Sequence, residues 1–388
     1  MTRIGIHDIA MATTKYRLDL PLLAEAQGID PEKYRIGIGQ DAMSFPAADE
    51  DVVTLAAAAA QPIIERHGVE GIRTVLLATE TGIDQSKAAA VYVHALLGLP
   101  HSARAVELKQ ACYSGTAALQ MAAGLIARDP RQRVLVIATD VAKYDLDSSG
   151  ESTQGAAAVA MLVSADPAIA VLEGPSGVHT NDVMDFWRPN YRVTPLVDGK
   201  YSVRAYLRAA EGAWLDYRAL GGAAFEDFAA HCYHSPFTKM TAKAHKHLIG
   251  VSGGQATPAE AEAALADTAV YNRAIGNSYT ASLYLGLLSL LDQRDDLAGE
   301  LVGMLSYGSG AVAEFFALRV VEGYREHLRT ERTRAQITRR EPLDVAHYRE
   351  LHELRQPSDG GDHAVPVDTA GPFRLAEYSG HQRVYRSR

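Results

Sequence analysis

Three short runs constrain this chain more than any other feature: TVLLAT (74–79), RVLVIAT (133–139) and AAAVAMLV (156–163). None alternates apolar with polar residues, so a strand built from any of them must be covered on both faces. Helix-forming segments lie between and around them. DEDVVTLAAAAAQPIIERHG (49–68) opens with acids, runs through good helix formers and stops at glycine, and SKAAAVYVHALLG (86–98) is similarly periodic. Doubly buried strands separated by helices predict a layered α/β protein.

At 388 residues the chain has core enough for two or three domain-sized units. Its net charge of −9 provides no global attraction for nucleic acid or an anionic membrane. No apolar run approaches the roughly 18 residues of a spanning helix. MTRIGIHDIAMATTKY at the N-terminus has no apolar signal core, so a cytoplasmic location is expected. The two cysteines, Cys112 and Cys232, make no disulfide framework and fit a reducing compartment.

Two echoes suggest internal duplication. TVLLATE and RVLVIATD are similar strands, each delivering a carboxylate (Glu80, Asp140) at its C-terminal end, where open α/β sheets place ligands. Cys112 is followed by a helix, the loop ARDPRQR and the strand VLVIATD; Asn277 is followed by the helix ASLYLGLLSLL, the loop DQRDDLAGE and the strand LVGMLSYG. Cys112 and Asn277 thus occupy corresponding helix entrances.

Ala118, Leu119, Ala122, Leu125 and Ile126 recur at helical spacing after Gly115, and Asp129-Pro130 ends the run. Cys112 therefore lies at or just before a first helical turn, where unpaired amides and the helix dipole favour a thiolate. The bland alternative is a small buried hydrophobe. A caspase-like reading of Gln110-Ala111-Cys112 fails, because glycine comes three residues after the cysteine rather than two and the upstream histidines, His94 and His101, are too near.

A nucleophile needs a base or an electrophilic partner, and FAAHCYHSPFTKMTAKAHKH (228–247) is the richest histidine region. His231, Cys232 and His234 are too few and too closely spaced for a metal site. A strand ending at His234, broken by Ser235-Pro236, would expose that imidazole at the sheet edge and leave Cys232 in the core. Lys239 and Lys243, four apart on one helical face, could meet a phosphate-bearing substrate or simply face solvent. Gly37-Ile38-Gly39-Gln40-Asp41-Ala42 matches a dinucleotide fingerprint but has no convincing strand before it, so that reading is discounted. Tyr307-Gly308-Ser309-Gly310 is a tight turn that would let amides approach a ligand.

Together these residues resemble a known family. Glu80, Cys112-Tyr113, Gly150-Glu151-Ser152-Thr153-Gln154-Gly155, Asp185-Phe186-Trp187-Arg188-Pro189, His234-Ser235-Pro236-Phe237-Thr238-Lys239, Gly276-Asn277 and Ser306-Tyr307-Gly308-Ser309-Gly310 occur in the order seen in 3-hydroxy-3-methylglutaryl-CoA (HMG-CoA) synthases, bacterial type. The likeness covers about residues 3–330. Gln110 stands where an acid is frequent, Ser152 where proline is usual, and MATTKY lacks a proline; none of these removes a functional group.

The resemblance implies a thiolase-like five-layer αβαβα sandwich of two duplicated halves, residues 1–166 and 167–388, forming a homodimer. It implies condensation of acetyl-CoA with acetoacetyl-CoA and water to HMG-CoA and free CoA, in the mevalonate route to isoprenoids. Cys112 would carry the acetyl group, Glu80 would be the general acid/base, and His234 would serve the acetoacetyl carbonyl. Asn277 and the Ser309 amide would polarise substrate. Asp140, Tyr144, Thr153, Asp185 and Tyr206 would line the pocket, and Lys239 and Lys243 remain substrate-binding candidates. No metal or cofactor is called for beyond the CoA thioesters themselves. Acetyl transfer breaks no carbon–hydrogen bond, so Glu80, taken as distant from the thiol, is expected to matter only to the enolate step.

Two other classes fit less well, a related condensing enzyme (a thiolase or a ketoacyl synthase) and a catalytically silent scaffold. A thiolase would need a second catalytic cysteine late in the chain, and a ketoacyl synthase would lack the glutamate; a silent scaffold would not keep Glu80, Cys112 and His234 together. Beyond residue 330, TERTRAQITRREP reads as a solvated basic surface, EPLDVAHYRELHELR as a helix, PSDGGDHAVPVDTAGP as a partly mobile loop, and PFRLAEYSGHQRVYRSR as a hairpin.

Overall fold

Nine strands join in one mixed sheet, in the computed structural model that describes residues 3–388. Along the sheet they run Ala230–Tyr233, Leu301–Gly308, Val312–Val320, Ala170–Thr180, Gly5–Thr13, Ala156–Ser164, Arg133–Val141, Ile72–Ala78 and Arg104–Leu108. Ile72–Ala78 is parallel to both its neighbours, and Ala230–Tyr233 is parallel to Leu301–Gly308; the other pairings are antiparallel. The sheet has two arms, residues 5–164 and residues 170–320. Between their strands the register joins just two residue pairs, Gly5 with Val171 and Ile6 with Ala170.

The unbroken apolar runs are explained by what covers each face. In the first arm Leu76, Ala78, Val134, Val136, Val159 and Met161 pack on the helices Ser114–Arg128 and Ser282–Gln293. The alternate residues Val75, Leu77, Leu135, Ile137, Ala158 and Leu162 pack on Val52–His67 and Ala89–Leu96. The second arm does the same. Cys232, Val302, Met304, Phe316 and Leu318 face the shared central helices, while Tyr233, Leu305, Ala313 and Phe315 face Gly199–Ala219 and Thr238–Val251. Five layers result, α, β, α, β, α, as the family resemblance implies.

Local signals set the helix ends. Asp51 caps Val52–His67 by accepting from the amides of Val53 (2.9 Å) and Thr54 (3.2 Å), and Gly68 at φ 63° stops it. Ser114–Arg128 and Ser282–Gln293 start side by side. A Cβ on Gly115 would lie 3.0 Å from the Thr280 carbonyl oxygen, so glycine lets the two helix entrances meet.

The C-terminal region departs from its sequence reading. Arg329 is inside, donating to Asp8 at 2.7 Å, and Arg340 is buried with its guanidinium on Ser44 Oγ (2.6 Å) and the Ala274 carbonyl (3.0 Å). The basic segment is thus only partly a solvated surface, because Arg340 satisfies buried acceptors, as Arg329 does just before it. The loop 357–372 is anchored through Asp368, whose carboxylate accepts from Lys15 Nζ (2.8 Å) and Tyr16 OH (2.7 Å). The helix Val345–Glu353 and the hairpin Phe373–Ser379/Gln382–Ser387 form where expected. Among the described residues, no helix is long and apolar enough to cross a membrane.

Candidate active site

Cys112 sits on a tight turn at the entrance to Ser114–Arg128. Ala111 adopts φ 44°, and the Tyr113 amide donates to the Gln110 carbonyl at 3.1 Å. The 307–310 turn backs this bend: Gln110 Nε2 donates to the Ser309 carbonyl at 3.1 Å, and Gly308 leaves no room for a side chain. The thiol meets the carboxylate at the end of the Ile72–Ala78 strand, with Cys112 Sγ 3.5 Å from Glu80 Oε2.

That contact corrects two expectations. Glu80 is adjacent to the thiol, not distant from it. The helix entrance also does not make the free cysteine a thiolate. Burial, followed by the charges of Glu80 and Asp140 and the hydrogen bond to Glu80, pushes the Cys112 thiol well above its ordinary value. The resting nucleophile is neutral, and its proton lies against a carboxylate.

Glu80 owes its place to Asp140. Asp140 Oδ1 accepts from Thr79 Oγ1 (2.7 Å), Thr81 Oγ1 (2.6 Å) and the amides of Glu80 (2.9 Å) and Thr81 (3.0 Å). Its Oδ2 accepts from the Thr280 amide (3.0 Å) and Thr280 Oγ1 (2.5 Å). One fully buried carboxylate therefore fixes both the Glu80 loop and the segment after Asn277. Burial, then the Asp140 charge, raises Glu80 to about 8, against an opposing pull from Arg188 and the Cys112 hydrogen bond. The sequence places Asp140 in the pocket wall; the structure makes it a brace behind that wall.

His234, just past Ala230–Tyr233, is 2% exposed, so the expected edge exposure is not found. The central helices cover it. Its Nδ1 lies 2.8 Å from Ser282 Oγ, which donates to the Tyr279 carbonyl at 3.0 Å. That network assigns the ring proton to Nδ1 and leaves Nε2 with its lone pair. Burial lowers His234 to about 3, so it is neutral at physiological pH. Tyr206 OH donates to the His234 carbonyl at 2.9 Å. Asn277 Oδ1 accepts from the Tyr279 amide at 2.9 Å, which turns its NH₂ into the available end.

Cys112, His234, Asn277, Ser309, Tyr144, Thr153 and Tyr206 line one cavity of about 150 Å³, room for short acyl groups and not for a nucleotide. Glu80 meets this cavity through Cys112, and besides Asp140 the predicted residues Asp185, Lys239 and Lys243 lie elsewhere. Asp185 is fully buried behind the cavity, accepting from Tyr307 OH (2.6 Å) and the Gly310 amide (2.9 Å), so it braces the 307–310 turn. Lys239 is ion-paired with Glu262, and Lys243 lies 5.7 Å from the Phe237 ring; neither lines the cavity. His231 stacks on Phe225 (4.3 Å) and Cys232 is in the core, so neither joins His234. Among the described residues no cluster has the make-up of a metal site.

The sequence reading did not single out Tyr279, Met240 or Val203 in the cavity wall, nor Ser282 and the threonines 79, 81 and 280 that hold His234 and Asp140. The one available signal was the triplet Thr79-Glu80-Thr81, where two hydroxyls flank a carboxylate at a strand end.

Comparison with known proteins matches residues 2–168 to the N-terminal and residues 169–252 and 254–356 to the C-terminal hydroxymethylglutaryl-coenzyme A synthase family models. The chain is 45% identical to the hydroxymethylglutaryl-CoA synthase of Enterococcus faecalis, over 89% of this chain and 90% of that one. It is 31% identical to a polyketide 3-hydroxy-3-methylglutaryl-ACP synthase of Bacillus subtilis, over 90% and 87%. A crystal structure of an HMG-CoA synthase complexed with CoA superposes with a TM-score of 0.94 at 43% identity, covering 99% of this chain and 100% of that one. Another solved relative, in complex with 3-hydroxy-3-methylglutaryl-CoA, superposes with a TM-score of 0.91 at 38% identity, covering 100% and 99%.

Proposed function

The chain belongs to the hydroxymethylglutaryl-CoA synthase family and has its thiolase-like fold, and we propose that it condenses acetyl-CoA with acetoacetyl-CoA through an acetyl group on Cys112. The observation that carries this reading is the 3.5 Å contact between Cys112 and Glu80 at the wall of a cavity shared with His234 and Asn277. The Cys112 sulfur attacks the acetyl thioester and CoA leaves with a proton. Glu80 then removes a proton from the acetyl methyl, for which a carboxylate raised to about 8 is a better base than an ordinary one. The resulting carbanion attacks the ketone carbon of acetoacetyl-CoA. The NH₂ of Asn277 and the Ser309 amide supply donors to developing oxyanions. The alkoxide that forms takes back the proton Glu80 removed. Neutral His234, held through Ser282, turns its Nε2 lone pair to the cavity as a hydrogen-bond acceptor, and water cleaves the Cys112 thioester to release HMG-CoA.

Higher identity to the CoA-type relative than to the ACP-type one supports CoA thioesters as the acyl carriers. The reading needs no resident metal or cofactor. It fits a cytoplasmic enzyme of the mevalonate route, two domains of residues 1–166 and 167–388, and a homodimer, for which the outer edge of Arg104–Leu108, with Val106 41% exposed, is a suitable contact. The test is direct. Acetyl-CoA alone should add one acetyl mass to the Cys112 peptide, and adding it to enzyme with acetoacetyl-CoA should bleach the acetoacetyl-CoA enolate absorbance. An acetyl group on Cys232, or no bleaching, would overturn the proposal.

A further inference from the structure

After the Ala170–Thr180 strand, Asp185 to Pro189 form part of a small ribbon, in which Phe186-Trp187 pairs with Leu196-Val197 and Phe186 and Val197 line the cavity. Asp185 roots this ribbon in the 307–310 turn. Phe186 packs its ring 5.9 Å from Tyr279 and 6.1 Å from Tyr144, both cavity residues. Two residues on, Arg188 donates to the main-chain carbonyl of Glu80. The Glu80 amide is meanwhile held from the opposite side by Asp140. The groups around the Glu80 carboxylate are Asp140 from the Arg133–Val141 strand, Cys112 at the helix entrance, Tyr144 and Tyr279 in the cavity wall, and Arg188 on the ribbon. Asp140 opposes ionisation of Glu80; Arg188 favours it.

We propose that Arg188 is a positioning residue for Glu80: carried on the ribbon whose Phe186 lines the cavity, it fixes the Glu80 carbonyl and supplies the cation that balances Asp140. The proposal rests on the reading of Glu80 as base. Its chemistry is that of a charge pair at a partly wetted site, where a cation near a carboxylate stabilises the ionised form. Removing Arg188 leaves two carboxylates facing each other, so Glu80 holds its proton to higher pH.

The experiment is the pH profile of kcat for condensation in wild type, Arg188→Met and Arg188→Lys, with folding of each variant checked by thermal melting. Arg188 is on the surface, so the variants should fold. Arg188→Met should move the acidic limb up by about one pH unit, which is an about tenfold loss of kcat below the limb. The loss should recover above it, and Arg188→Lys should restore most of the shift. An unmoved limb, a loss equal at every pH, or no rescue by lysine would overturn the proposal. Glu80→Ala run alongside separates the two readings: if it condenses normally, the base assignment has failed, whatever Arg188 does.

Discussion

Glu80 and Cys112 are in contact, with the thiol donating to the carboxylate. The carboxylate charge and its hydrogen bond both raise the thiol, so Glu80→Ala loses a proton acceptor but also relieves the thiol of its strongest local anion. Acetyl transfer should therefore survive in Glu80→Ala, while condensation falls by about 10²–10⁴-fold for want of a positioned base. Mass measurement of the Cys112 peptide and an HMG-CoA assay read the two steps separately. Parallel loss of both in a folded variant would show that the carboxylate serves acetylation too. The same logic gives a pH dependence. Since the ionised carboxylate is the active form and its value is about 8, kcat/KM in the wild type should rise with pH toward that value.

The elements contribute mainly by where they end. The Ile72–Ala78 strand stops at Glu80, Ala230–Tyr233 stops before His234, and two central helices begin at Cys112 and beyond Asn277. What brings these ends together is close backbone approach, and at the nucleophile turn it occurs at Gly308. A Cβ there would fall 2.5 Å from the Gln110 carbonyl oxygen and 2.7 Å from the Tyr113 nitrogen, both main-chain atoms of the nucleophile turn. Ala111 already occupies an unfavourable φ of 44° in that turn, so it has little slack to give. Gly308→Ala should shift Cys112 and slow its acetylation by about 10²-fold. Rapid-quench acetylation compared with thermal stability tests this: an unslowed rate would show that the bend tolerates the methyl.

At the scale of the whole molecule, the C-terminal region is a clamp. Asp8 is buried on the central strand Gly5–Thr13 and is held by Arg329 (2.7 Å) and His67 (2.7 Å), with Arg66 at 3.6 Å. Removing Arg329 leaves a buried carboxylate only partly compensated, a loss of roughly 3 kcal/mol. Arg329→Met should lower the urea midpoint accordingly while leaving condensation intact under native conditions; an unchanged midpoint would show that the Arg329–Asp8 pair adds nothing to stability. Farther on, Val345–Glu353 reaches behind the cavity. Tyr348 OH donates to Glu151 (2.9 Å) and accepts from Gln154 Nε2 (2.8 Å), and His352 Nε2 lies 2.9 Å from the Tyr144 carbonyl oxygen.

Apolar runs such as RVLVIAT announced doubly covered strands because burial is a property of composition, and the layers followed from it. Cys112 was legible as a helix-entrance residue because the periodic alanines and leucines after it mark the helix start. Ordered motifs brought Glu80, His234 and Asn277 into one expected site. The sequence could not show that Glu80 touches the thiol, that Asp140 and Asp185 stand behind the cavity, that Arg329 pairs with buried Asp8, or that Arg340 is buried. Each of those depends on contacts between residues tens to hundreds of positions apart, and a polar residue reads the same whether its partner is water or a distant side chain. Local pattern determines which face is apolar and where an element ends; only tertiary packing decides which charges meet, and therefore which protons are free to move.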